Sequence, residues 1–217
     1  MVGEMGDGEV FGAGGLGRQG SRTALTEPAC GPAIGIFEGT LDLGGARPGA
    51  TRYTPSSGLY RVTGGGVDVW GRTDALHLAW QRFQGDGAVS ADIAFAPGHR
   101  SGQEKALLLL RQNFDPGAPY VGVVLRGDGR ISLQFRQAVG GVTFRIGLFP
   151  QGVGRFSLRR HGGRFTAWAG RDAREMRELA LVVLPMRDPL IAGIGMCAHN
   201  AEDLATAHFA RVRVGQE

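Results

Sequence analysis

Apolar and polar residues alternate along most of this chain with the period of two that is typical of β-strands. The stretch from 75 to 83 shows the pattern clearly. Leu76, Leu78 and Trp80 fall on one side of a strand there, whereas His77 and Gln81 fall on the other. The first side predicts a face that packs in a core. The second predicts a face that can meet a ligand, because it carries groups able to form hydrogen bonds.

Short strands are predicted about every 8–14 residues from Ile34 onward, a rhythm typical of a sandwich rather than of alternating strands and helices. Glycine supplies 38 of the 217 residues and marks the turns between them. In 106–111 both sides are apolar, which predicts a central strand covered on both faces. The predicted strands are 34–42, 50–54, 58–63, 67–70, 75–84, 87–96, 105–112, 119–126, 130–137, 142–148, 154–160, 163–168, 177–184, 190–199 and 205–214. The predicted class is all-β.

One domain is expected over residues 34–217, preceded by a flexible glycine-rich lead-in over residues 1–33 that has no strand or helix period. The two cysteines, Cys30 and Cys197, allow one bridge, a buried free thiol or neither, and we expect neither to be essential.

The charge pattern limits the classes of partner. The net charge is +4, Lys105 is the only lysine, and the arginines are scattered rather than clustered, which argues against nucleic-acid binding. No apolar run approaches the roughly 18 residues of a membrane span. No signal peptide is visible, because Met1 to Arg22 lacks the necessary apolar region.

Planar polar side chains gather on the strand faces assigned away from the core. Amides, guanidinium groups and a phenol are suited to donate to sugar hydroxyls or carboxylates and to stack on a sugar ring. The alternatives are a merely solvated face and a hydrogen-bonded structural role for His77. Trp70 and Trp80 are expected in the core, because large aromatic side chains dominate cores. The predicted ligand-binding residues are His77, Gln81, Arg111, Tyr120, Gln134, Arg136 and His199, with Arg145 on the same set of faces.

The chain resembles a family over residues 35–214: the bacterial concanavalin-A-like β-sandwich modules often found with TolB-type propeller proteins, sometimes called regulation-of-enolase-like. The similar pieces, in order, are Gly66–Gly71, Asp74–Trp80, Gly85–Asp86, Leu110–Arg111 with Pro119–Tyr120, Gly127–Gly129, Leu133–Arg136, Cys197–Asn200 and Ala205–Val214. The resemblance implies a jelly-roll-type sandwich, secreted or periplasmic, that serves as a glycan-binding or accessory module. It implies no catalytic residues. The chain departs from the family in showing neither a clear signal peptide nor an attached propeller.

Signatures of catalysis are weak. No run of alternating acids provides the carboxylate pair of a sandwich glycosidase, and the nucleophile, redox and zinc motifs are missing. A metal shared by Asp74, His77 and His199 has no supporting spacing, and a structural calcium ion is an alternative without a located site. The leading interpretation is a non-catalytic carbohydrate-recognition module with a glycan partner. The other interpretations are a structural or protein-interaction sandwich, and a sugar-active hydrolase or lyase.

Overall fold

The computed structural model describes residues 31–98, 101–150 and 152–216. Most of the predicted lead-in, with Cys30, lies outside these ranges. Its described end is tied to the fold, since the Gly31 amide donates to the Thr40 carbonyl at 2.9 Å.

Two seven-stranded antiparallel sheets form a sandwich. The strands are numbered in chain order. Sheet one contains, in spatial order, β1 (Gly39–Leu43), β6 (Leu76–Phe83), β15 (Leu190–Cys197), β8 (Lys105–Arg111), β9 (Tyr120–Arg126), β10 (Ile131–Arg136) and β11 (Thr143–Leu148). Sheet two contains β14 (Arg177–Val183), β13 (Arg164–Gly170), β12 (Arg155–His161), β7 (Gly87–Phe95), β16 (Asn200–Gly215), β3 (Leu59–Gly66) and β2 (Ala50–Thr54). A small hairpin pairs β4 (Val69–Trp70) with β5 (Thr73–Asp74). The predicted all-β class is confirmed.

The bounds of the predicted strands agree with the observed ones to within about three residues except at three places. The first prediction began at Ile34, but a turn with Gly35 at a φ of 60° leaves only an isolated bridge from Ile34 to Phe37 before β1. β5 has two residues, too few for an alternation to show. β16 runs for 16 residues because irregularities in its pairing with β3 and β7 let the strand continue.

The main core lies between the two sheets. Sheet one contributes alternate residues such as Ala79, Leu108 and Val123. Sheet two contributes Val89 and a layer of larger side chains that face it. Among these larger side chains are Phe156, Leu158, Phe165 and Phe209, each no more than 1% exposed. Each sheet thus turns one side of its alternation toward the other sheet.

A second apolar cluster lies on the outer face of sheet one. It contains Leu76, Leu78 and Trp80, together with Leu107 and Leu109 of β8. Val69 of the β4–β5 hairpin and Phe114 of the loop between β8 and β9 cover it. The Trp80 and Phe114 rings meet edge to face, with 4.7 Å between their centroids. As predicted, β8 is buried on both faces.

This second cluster corrects the face assignment of β6. The Leu76–Trp80 side points away from sheet two, whereas the side of His77 and Ala79 points toward it. A Cβ placed on Gly64 of β3 would lie 2.8 Å from His77 Cβ, which fixes His77 between the sheets. Alternation alone did not identify the side facing the other sheet because both sides of β6 are buried.

Small residues of β15 make room for β6 side chains, not for a ligand. A Cβ on Gly193 would lie 2.9 Å from Leu78 Cδ1, and a Cβ on Gly195 would lie 2.7 Å from Leu76 Cδ1. Both glycines thus allow the second cluster to pack directly on the backbone of β15.

Cys197 ends β15 as a buried thiol with no disulfide partner among the described residues. Its Sγ lies 3.3 Å from the Gly66 carbonyl and 3.4 Å from the His199 amide. Burial raises the pKa of the Cys197 thiol to about 12. Because the thiolate is the reactive form, the folded protein keeps this group inert.

In a Cys30→Ser variant, we expect Cys197 to react with a thiol reagent at pH 8 at least about a hundredfold more slowly in the folded state than in guanidinium chloride. Absorbance of the released thionitrobenzoate measures both rates. Equal rates would contradict the burial. In the parent chain, absence of free thiol after non-reducing denaturation would instead support a bridge to Cys30.

Candidate functional site

Five of the seven predicted ligand-binding residues are buried. His77, Arg111, Tyr120, Gln134 and Arg136 are each at most 2% exposed. Gln81 is half-buried and His199 is exposed. The expectation that these side chains form one open polar face is therefore wrong, because most of them are buried. Their contact with a ligand stays a prediction.

His77 holds together strands of the two sheets. Its Nδ1 lies 2.7 Å from Asp42 Oδ1 on β1, and its Nε2 lies 3.0 Å from Thr51 Oγ1 on β2. Asp42 Oδ1 also accepts from the Gly49 amide at 2.9 Å. These contacts support the structural alternative for His77. The suggested metal site of Asp74, His77 and His199 is not assembled, because His77 lies on the inner face of sheet one and Asp74 lies over the outer face.

Asp74, Arg111 and Arg136 form a buried ionic cluster, named here the Asp74 cluster. Arg136 donates to both carboxylate oxygens of Asp74, at 2.9 and 2.7 Å, and Arg111 donates to Oδ2 at 3.4 Å. The Tyr120 ring packs against Arg136, with 5.1 Å between the ring centroid and the guanidinium carbon. Desolvation raises the pKa of Asp74, and the two arginines oppose that rise. Desolvation also lowers the pKa of Arg111 and raises the pKa of Tyr120.

The arginines of the Asp74 cluster also bind the backbone of the loops that cover sheet one. Arg111 donates to the carbonyls of Asn113 and Asp115, at 2.7 and 2.6 Å. Arg136 donates to the carbonyls of Pro116, Ala118 and Gly141, at 3.1, 3.2 and 3.1 Å. The cluster therefore fastens the β4–β5 hairpin and two loops to sheet one.

We expect Asp74→Asn to lower the free energy of unfolding by about 3–5 kcal/mol, because it leaves two buried guanidinium groups without an anion. Denaturant titration followed by circular dichroism measures the change. Asp128→Asn, at an arginine-paired aspartate on a surface turn, is the matched control and should cost less than about 1 kcal/mol. Similar losses in both variants would contradict the assigned role.

Beyond the covering loops, the outer face of sheet one opens into a groove of about 640 Å³, named here the sheet-one groove. Ser132 of β10 and Gly147 of β11 stand directly opposite each other in its floor. Arg126, Arg130 and Arg145 line it, with Asp128 as the single acid among the described lining residues. Asp128 lies 3.4 Å from both Arg126 and Arg130. Since the described lining has three arginines and one acid, it carries an excess of positive charge.

Phe149 gives the sheet-one groove an exposed aromatic wall. Its side chain is 90% exposed, the most of any large hydrophobic residue in the described ranges. A Cβ on Gly147 would lie 3.2 Å from Phe149 Cζ, so the ring lies over the glycine backbone. The absence of a side chain at Gly147 thus permits this ring position.

Trp70 lies beside the groove and contacts Arg145, one of the lining residues. The Arg145 guanidinium carbon is 5.9 Å from the Trp70 ring centroid, and Lys105 Nζ is 5.6 Å from it. Trp70 was expected in the core but is 38% exposed, whereas Trp80 is buried as expected. His199 lies farther along, 3.4 Å from Asp68, which pairs with Lys105 at 2.6 Å.

Gln134 lies directly opposite Arg145 in the pairing of β10 with β11. Its Nε2 donates to Ser132 Oγ at 3.3 Å, but its buried Oε1 has no hydrogen-bond donor among the described residues. Of the predicted ligand residues, Gln134 is thus the one in contact with the floor of the sheet-one groove.

The site offers hydrogen-bond donors and an aromatic surface, but little for acid–base or metal chemistry. Among the described residues, no group of three His, Cys, Asp or Glu side chains is placed to hold a metal ion. The structural calcium considered from the sequence stays a prediction without an assigned position. The described ranges also contain no helix long and apolar enough to cross a membrane.

Solved structures with a similar fold include a functionally unknown protein from Saccharomyces cerevisiae, with a TM-score of 0.60 and 14% identity over 80% of this chain and 93% of that one. A β-glucanase from Bacillus licheniformis has a TM-score of 0.51 and 10% identity over 77% of this chain and 82% of that one. No protein-family model and no curated protein matches the chain. At these identities the likeness shows the fold alone, a jelly-roll-type sandwich of the concanavalin-A-like kind, as predicted.

Sequence reasoning missed Arg126, Arg130 and Phe149 as parts of a site. Arg126 and Arg130 flank the glycine turn that the sequence marks between β9 and β10. Phe149 follows the alternating residues of β11 and precedes Pro150, so an apolar residue just past a strand end was the available signal.

Proposed function

We propose that the chain is a non-catalytic carbohydrate-recognition module that binds a glycan in the sheet-one groove. The observation that carries the proposal is the exposed Phe149 ring beside the donors of Arg126, Arg130 and Arg145. An apolar ring face suits the C–H face of a sugar, and planar guanidinium groups suit its hydroxyl or carboxylate oxygens.

The composition of the groove favours recognition over hydrolysis. A glycosidase generally needs two carboxyl groups about 5 Å or about 6.5–9.5 Å apart. The part of the groove lining that the structure describes holds one carboxyl group, that of Asp128, and two arginines pair with it. The resemblance to sandwich modules of TolB-type propeller proteins adds an accessory role, beside a partner domain, to the same proposal.

A sugar-active hydrolase or lyase is the second candidate. The observation in its favour is the likeness in fold to the Bacillus licheniformis β-glucanase. A glycan array with the purified chain, with calcium and with chelator, tests recognition, and release of reducing ends from the bound glycans tests hydrolysis. Binding without release supports the first candidate, whereas release supports the second. An array without binding supports a protein-interaction sandwich.

We expect Phe149→Leu to weaken binding of the best array glycan more than tenfold, because it removes a stacking ring while keeping an apolar side chain. Phe149→Tyr keeps the ring and should retain most of the affinity. Calorimetry measures both. The melting temperature should stay unchanged, since the side chain is exposed.

Val183→Ala is the control, at an exposed apolar residue of sheet two. It should leave glycan affinity unchanged. Equal affinities of the parent, Phe149→Leu and Phe149→Tyr proteins would place the glycan elsewhere on the surface and contradict the proposed site.

A further inference from the structure

A second groove lies on the outer face of sheet two, on the side of the molecule opposite the sheet-one groove. Its volume is about 590 Å³, and it is named here the sheet-two groove. Ser90 of β7 and Ser157 of β12 form its floor, with Arg155, Arg159 and Arg213 around them. The residues before and after Ser90 and Ser157 lie in the main core: Val89, Ala91, Phe156 and Leu158. Because successive side chains of a strand alternate, the two serines point outward.

The groove exists because small residues interrupt a face of long ones. Ser90 stands directly opposite both Ser157 and Arg213 in the strand pairing, and Ala88 stands opposite Arg159. The two serines and the alanine have short side chains, whereas the arginines beside them are long. The result is a depression with guanidinium groups at its rim.

Among the described residues that line the sheet-two groove, three are arginines and none is an acid. Arg155 binds Asp92 at 2.9 Å and Ser90 Oγ at 3.1 Å, which fixes its position. Arg159 lies over the Trp168 ring, 4.0 Å from its centroid. Arg213 is exposed. Asp92, the acid that pairs with Arg155, also binds Arg211. The arginines of the described lining therefore outnumber the acid beside them, which favours an anion.

Ser157 points to a ligand for this groove. The residue is 2% exposed, and its Oγ has no hydrogen-bond partner among the described residues. Buried hydroxyl groups in folded proteins are generally paired, because an unpaired one is costly. A hydroxyl at the floor of a cationic groove can donate to an anion held there.

We propose that the sheet-two groove binds an oxyanion, with Ser157 Oγ donating a hydrogen bond and Arg159 and Arg213 supplying positive charge. Carboxylate, sulfate and phosphate groups share this chemistry. The site is separate from the sheet-one groove and does not depend on the proposed glycan function.

Titration of the full chain with sodium phosphate and with sodium acetate, at constant ionic strength and followed by amide NMR shifts, tests the proposal. We expect saturable shifts in β7, β12 and β16 with at least one of the two anions. Tighter binding of phosphate indicates a phosphate or sulfate ligand, and tighter binding of acetate indicates a carboxylate. Shifts that stay linear for both anions, or that lie elsewhere, would overturn it.

Ser157→Ala should weaken the tighter anion at least fivefold while the melting temperature stays equal or rises, because it removes an unpaired hydroxyl. Arg213→Gln should weaken it similarly. Arg52→Gln is the matched control, on the same sheet face but outside the groove lining, and should leave the affinity unchanged. A clear fall in melting temperature for Ser157→Ala would show a structural hydroxyl and overturn the assignment. Phe149→Leu should not change anion binding, which separates this proposal from the glycan site.

Discussion

The pairing of Asp74 with Arg111 and Arg136 is the interaction on which the outer face of sheet one depends. One carboxylate lies between two arginines that are fully buried and that also bind backbone carbonyls of the covering loops. Isolated charges are costly in such an environment, and this network offsets the cost through charge-assisted hydrogen bonds. Because the partners come from β5, β8 and β10, the cluster forms only when the hairpin lies over the assembled strands β8 to β10.

The Asp74 cluster also determines which part of the outer face of sheet one stays open. The hairpin and loops that it holds cover the apolar outer surfaces of β6, β8 and β15, so the centre of the sheet is closed. Their cover ends near β11, where Arg145 and Phe149 remain accessible. Trp70, at the tip of the hairpin, contacts Arg145 and links the covered region to the sheet-one groove.

Much of the fold could be predicted from the sequence, because alternation and glycine turns are local signals. The site could not, for two physical reasons. In β6 and β8 both faces are buried, so alternation did not show that the side of β6 that carries His77 faces sheet two. Arg111 and Arg136 resemble surface arginines in sequence, and their burial depends on Asp74, which lies 37 and 62 positions away.

Arginine thus occupies two kinds of environment in this sandwich, and they differ in whether loops cover the guanidinium group. Where loops close over the sheet, as at Arg111 and Arg136, a carboxylate and backbone carbonyls satisfy the guanidinium group and its role is structural. Where small residues such as Gly147 or Ser157 leave a depression, the neighbouring arginines face solvent or a groove and can meet a ligand's oxygen atoms. Since a sheet of this kind places the same residue type in both settings, the residues around an arginine and the loops above it decide whether it stays open to a ligand, and its position in an alternating pattern does not.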